Sequence, residues 1–173
     1  MSTKEFSIKQ EKMVASYMGW KVVSGSGSRP FTPGDVNSYD FLVECKTHMT
    51  VQDRIVFHKQ HWDKISEEAL SKHRCPVLIT DDGTQKSDST WVMLPEHLIP
   101  IEGSQKVSGG WWNKSRSGNL ISIVAKTAPY IYNTIQVQPD TKLIYLEAEF
   151  GNDKLAVMTL EMFRQFCSEE FGV

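Results

Sequence analysis

The sequence has no run of 18 apolar residues, no CxxC pair and no excess of basic over acidic side chains. Without a long apolar run, no conventional membrane-spanning helix is expected. The first twenty residues carry Lys4, Glu5, Lys9, Glu11 and Lys12 where a secretory leader needs an apolar stretch. A soluble, cytoplasmic protein is therefore expected, in the host cytoplasm if the source is a phage. Three cysteines, Cys45, Cys75 and Cys167, without a CxxC pair indicate neither a disulfide framework nor a cysteine zinc site, and they read as reduced thiols. A formal net charge of −2 gives the whole chain no attraction to nucleic acid. The charge is unevenly spread, however. Residues 1–60 hold eight Lys or Arg against six Asp or Glu, and residues 143–173 hold two against six. An acidic tail masking a basic N-terminal face and a plain solubility effect both fit that asymmetry.

What the chain does have is core material. Its 173 residues are 40% hydrophobic and include five Trp and eight Phe, enough for one sizeable core. Helical spacing of Phe6, Met13, Val14, Tyr17 and Met18, with Gln10 interposed, predicts a first helix stopped by Gly19. Trp20–Val23 reads as a short strand, and Gly25, Gly27, Pro30, Pro33 and Gly34 as a loop. In the strand Phe41–Lys46, alternation puts Phe41, Val43 and Cys45 on one side and Leu42, Glu44 and Lys46 on the other. A helix over Phe57–Leu70, with Trp62, Ile65 and Ala69 as its stripe, leads to strands at Val77–Thr80 and Trp91–Leu94. Beyond Pro100, Gly103–Gly118 reads as loop, and Leu120–Ala125, Thr134–Val137, Leu143–Phe150 and Leu155–Met158 as strands. Thr159 caps a final helix. The class is α/β: a mixed sheet flanked by helices, with a core over 1–100 and a C-terminal β-rich extension over 101–173 packed on the same domain.

Chemistry is concentrated in Pro33-Gly34-Asp35 and, eight residues on, Glu44-Cys45-Lys46. Phosphodiester hydrolysis needs an activated water and neutralised charge on the leaving oxygen. Two carboxylates can hold Mg²⁺ for this work, and the backbone carbonyl of Cys45 can complete the coordination. A neighbouring lysine can orient or deprotonate the water and stabilise developing negative charge. The competing account of Glu44 and Lys46 is two charges on the wet face of a half-buried strand.

With Glu11 in the first helix, the stretch Ser24–Val36, the strand Phe41–His48 and the helix around Lys59–Trp62, the sequence resembles the PD-(D/E)xK nuclease superfamily, and within it the archaeal and phage Holliday junction resolvases. The resemblance covers roughly residues 5–98. It implies a restriction-endonuclease-like core, metal ligation by Glu11, Asp35, Glu44 and Cys45, and a catalytic lysine at Lys46. It further implies a helical glutamine, Gln60, that reaches toward the lysine, and a loop presenting Ser26, Ser28 and Arg29 to the scissile phosphate. The first motif departs from the family by reading Pro-Gly-Asp in place of Pro-Asp. The expected activity is Mg²⁺-dependent cutting of branched or duplex DNA by a homodimer, with Mn²⁺ able to substitute. A sequence-specific restriction-like or homing endonuclease and a non-catalytic nucleic-acid-binding protein are the alternatives.

Two further signals stay open at this level. The five histidines, His48, His58, His61, His73 and His97, complete no recognisable zinc motif and read as structural or exposed. Trp111 and Trp112, beside Lys114 and Arg116, serve either core or dimer packing or contact with nucleic acid. The GSGS stretch lacks the Gly-Lys-Ser/Thr of a phosphate-binding P-loop, and no ATP dependence is expected.

Overall fold

A reciprocal cap starts the chain: Ser2 Oγ accepts the Glu5 N–H at 3.2 Å, and Glu5 Oε2 accepts the Ser2 N–H at 2.6 Å. The structure is a computed structural model that describes residues 1–24, 34–108, 112–125 and 135–172. In it the first helix, α1, runs Thr3–Met18, a turn earlier than Phe6 because of this cap, and Gly19 closes it in the left-handed conformation. The remaining elements are β1 (Lys21–Val22), β2 (Val36–Asn37), β3 (Phe41–Lys46), β4 (Arg54–His58), α2 (Lys59–Ser71), β5 (Cys75–Asp81) and β6 (Thr90–Pro95). They are followed by β7 (Ser104–Val107), β8 (Asn113–Lys114), β9 (Leu120–Val124), β10 (Leu143–Phe150), β11 (Asp153–Thr159) and α3 (Leu160–Phe171).

Eight strands form one mixed sheet in the order β1-β2-β3-β5-β6-β11-β10-β7, and β4, β9 and β8 form a second. The pairs β3–β5 and β7–β10 are parallel, the others antiparallel. Joining the parallel pair β3–β5 takes a long crossover, which β4 and α2 supply. On one face of the large sheet, Phe41, Val43, Cys45, Val77 and Ile79 pack with α1 and α3. On the other, Leu42 and Leu78 pack with Trp62, Ile65 and Ala69 of α2 and with Ile55, Phe57, Ile121 and Ile123 of the small sheet. The alternation expected of β3 is therefore present, but both of its faces are covered and neither is wet.

Several boundaries differ from the sequence expectation. Phe57 belongs to β4, not to the helix, because Ile55 and Phe57 alternate into the core and pair antiparallel with β9. Ser104–Val107 and Asn113–Lys114, expected as loop, are short strands that lean on β10 and β9 respectively. Residues 135–137 are not strand, and Thr134 lies outside the described residues. The C-terminal hairpin turns at Gly151 and Asn152 as expected, and Thr159 Oγ1 accepts the Met162 N–H at 3.2 Å to start α3. Because β11 pairs with β6, residues 143–159 continue the same sheet. No described helix is long and apolar enough to cross a membrane.

Candidate active site

The site is built where the β2–β3 pairing ends. Among the described residues β2 pairs with β3 at Val36↔Val43 and Asn37↔Leu42, and beyond Val43 the same edge meets Asp35. The chain reaches this edge through Gly34, whose φ of +76° is left-handed; an added Cβ there would lie 2.7 Å from Leu42 Cδ1. The extra glycine between Pro33 and Asp35 is thus a steric requirement of the turn. It delivers Asp35, whose N–H donates to Val43 O at 2.7 Å and whose Oδ2 accepts the Cys45 N–H at 2.8 Å. Since a strand residue's N–H and C=O point to the same edge, the Cys45 carbonyl faces the edge that Asp35 occupies.

Glu44 lies on the α2 face of β3 with only 3% of its surface exposed. Two ammoniums meet one of its oxygens: Lys46 Nζ at 2.7 Å from Oε1, and Lys64 Nζ of α2 at 3.4 Å from the same atom. The lysines remain hydrated, at 38% and 57% exposure. A solvated charge pair would leave the carboxylate in water as well, so the wet-face account fails at Glu44. Burial alone would depress the Lys64 ammonium, yet Glu44 and Glu68 outweigh it and hold Lys64 above its ordinary value. Beside them His61, depressed by burial first and then by the Lys46 and His58 charges, titrates at about 4. Its imidazole is neutral at pH 7.

Glu11, an ordinary surface position by sequence, is buried with Gln10 at the middle of α1. Gln10 Nε2 donates to Lys46 O at 2.6 Å, fixing the end of β3 against α1. Cys45 lies between these carboxylates: burial, then Asp35, Glu11 and Glu44, push its thiol well above its ordinary value. The sulfur points into the α1-side core and stays protonated, so a metal contact from this residue falls to its carbonyl. Among the described residues no three His, Cys, Asp or Glu side chains stand close enough together to hold an ion. The donors around Cys45 are nevertheless hard oxygens, the set that Mg²⁺ takes, and the Lys46 and Lys64 ammoniums supply positive charge at Glu44.

Other expected site residues fall elsewhere. Gln60 is exposed and lines a separate cleft with His58 and Asn119, while His61 and Lys64 are the α2 side chains that face Glu44. Those two were missed by sequence reasoning, although their i,i+3 spacing on α2 places them on one face. Ser26, Ser28, Arg29 and Trp111 lie outside the described residues. Trp112 is half-buried and packs against the α2-side core. A second cleft, of about 330 Å³, is lined by Glu102, Asp140, Glu169 and Glu170, which disfavour a phosphate backbone there. No protein-family model, curated protein or solved structure matches the chain.

Proposed function

We propose that this chain is a divalent-metal-dependent endodeoxyribonuclease whose cutting centre is Asp35, Glu44 and Lys46. The observation that carries the reading is the Glu44 carboxylate, 3% exposed and met at 2.7 Å by the Lys46 ammonium. Withdrawing a carboxylate from water costs on the order of several kcal/mol before compensation. Such buried charge concentrates where its chemistry is used. Asp35 beside the same strand and Glu11 on α1 add carboxylates around one backbone segment, Cys45.

Asp35, Glu44, the Cys45 carbonyl and Glu11 are the groups that would hold Mg²⁺, or Mn²⁺ in its place. When bound, the ion supplies Lewis acidity and a water of lowered pKa. Lys46 would orient the attacking water and stabilise the charge that develops on the phosphoryl oxygens. Lys64, reaching the same carboxylate from α2, is placed to hold the phosphate as a point charge. His61, neutral at pH 7, has a ring nitrogen able to accept a hydrogen bond beside them. Ser26, Ser28 and Arg29 belong to this proposal as further phosphate contacts.

The substrate proposed is branched DNA of the Holliday junction kind, cut by a homodimer whose two-fold axis matches that of the junction. A restriction-like or homing endonuclease would act on fixed linear duplex instead. A non-catalytic nucleic-acid-binding protein is favoured by one observation, the lack of a ready three-ligand group among the described residues. The test is incubation of the purified chain with a mobile four-way junction, a linear duplex and a single strand, in Mg²⁺ and in Mn²⁺. Preferential cutting of the junction supports the resolvase reading, and equal cutting of junction and duplex removes it. Binding without cutting leaves the non-catalytic alternative.

A further inference from the structure

The first turn of α2 and the start of β9 enclose a cleft of about 370 Å³ lined by His58, Lys59, Gln60, Asp63, Asn119 and Leu120. Its volume is within the range of small-ligand sites. Its walls are fixed: the Lys59 N–H donates to Asn119 O at 2.8 Å, and His58 pairs with Leu120 across β4 and β9. The lining is chemically distinctive. The ammonium of Lys59 is 2.6 Å from Asp63 Oδ2, so the cation in the wall is already neutralised from within. Burial, followed by the His48 charge, holds the His58 imidazole below its ordinary value. What remains to meet a ligand is two carboxamides, each with donor and acceptor, a neutral imidazole and the apolar flank of Leu120. With one lysine and one carboxylate the wall offers no net charge to a phosphate, and a metal asks for convergent carboxylates. A planar heterocycle with its own donors and acceptors asks for this lining, and Asn and Gln amides are the usual partners of a nucleobase edge.

The position of the cleft adds the second argument. The His58 ring lies 5.0 Å from that of His61, and His61 in turn feels the charges of Lys46 and Glu44. One pair of imidazoles therefore separates the cleft from the cutting centre. We propose that this cleft is a subsite for one nucleobase of the bound strand, next to the scissile phosphate at the Asp35, Glu44 and Lys46 centre. The proposal rests on the nuclease reading for its neighbour but not for its own chemistry. It gives Gln60 the role of reading a base edge in place of reaching the catalytic lysine.

The probe is a fluorescent single-stranded oligonucleotide, intact or with one abasic site moved position by position, bound to the whole chain in EDTA. One abasic position is expected to weaken binding about tenfold, the effect of losing one well-made base contact. Leu120→Trp, which fills the cleft, should weaken the intact oligonucleotide by the same factor and bind all the abasic versions alike. Asn119→Ala, a smaller change on the same wall, should reduce the abasic penalty, and circular dichroism checks that both variants fold. The proposal is overturned if no abasic position matters to the wild type, or if folded Leu120→Trp keeps the wild-type abasic penalty. Base-dependent binding without cutting in Mg²⁺ keeps the subsite and removes the nuclease reading. Cutting without base dependence does the reverse, and failure to bind any oligonucleotide removes both.

Discussion

Two lysine–glutamate pairs in this protein have the same N–O separation of 2.7 Å: Lys46–Glu44 on β3, and Lys106–Glu96 joining β7 to the short helical turn after β6. Around Glu96 the network is closed. The Tyr145 hydroxyl donates to the same Glu96 oxygen at 3.0 Å, Lys106 also reaches Glu147 at 3.7 Å, and the Ser108 hydroxyl donates to Glu147 at 2.8 Å. Burial would raise the Glu96 carboxyl, but the hydrogen bonds of Lys106 and Tyr145 outweigh it and hold the group below its ordinary value. Around Glu44 the carboxylate is deeper, its side chain 4% exposed against 18%, and two ammoniums, from β3 and from α2, meet one of its oxygens. Equal distances thus have different settings. Glu96 shares a network that joins β7 to the turn after β6, and Glu44 is a buried carboxylate on the strand that Asp35 flanks, the setting on which the proposed cutting centre rests.

The largest effect that sharpens this contrast is expected from Glu44→Gln and Asp35→Asn. Each should lower single-turnover DNA cutting by about 10²-fold or more, the scale of a lost direct contact to the transition state. Both should stay folded, because the Glu44 lysines keep their water. Gly34→Ala comes next: a left-handed residue that is not glycine costs about 1–2 kcal/mol, and the clash with Leu42 adds to it. Denaturant unfolding measures that loss, and cutting should fall with it as Asp35 is displaced. Glu96→Gln should cost about 1 kcal/mol of stability and leave the rate per folded molecule unchanged. Lys154→Ala, which removes an exposed partner of Glu149, should leave the unfolding midpoint where it was.

Acid separates the two regions by where stability is lost. The His61 value of about 4 lies below the ordinary 6.5, so the unfolded chain takes up this proton first. Its contribution is fully present above pH 6.5 and is lost as pH falls toward about 4. Glu96 is also depressed, and its contribution is present above its ordinary 4.5 and lost only below that. Unfolding curves from pH 7 to 4.5 should therefore show a slope that His61→Gln reduces, His58 supplying part of the remainder, and that Glu96→Gln leaves as it is. An unchanged slope in His61→Gln would contradict the neutral imidazole assigned to the site.

The parts of this fold that are legible in the sequence are those with a local cause. Period-two alternation separates Val43 and Cys45 from Glu44 and Lys46, and Gly151 with Asn152 marks the hairpin. Ser2 and Glu5 spell a capping box ahead of the apolar stripe, so the true start of α1 is readable too. Strand β4 is hidden because it runs into α2 at His58 with no breaker between them. Strands β7 and β8 are too short to carry a pattern and depend on distant partners. Glu11 looks like any helical surface glutamate until the packing of α1 against β3 buries it. Lys64 looks like any surface lysine, and only the crossover that lays α2 over β3 brings it to Glu44.

The most direct test compares Lys46→Ala with Lys106→Ala, two deletions of one ammonium from pairs of equal length. Single-turnover cutting of a junction in Mg²⁺ is measured for both beside the wild type, with unfolding midpoints taken in parallel. The account predicts that Lys46→Ala is slower by about 10²-fold or more per folded molecule, with a midpoint lowered because Glu44 loses its nearest ammonium, and that Lys106→Ala cuts at the wild-type rate per folded molecule. Equal cutting rates for the wild type and Lys46→Ala would contradict it.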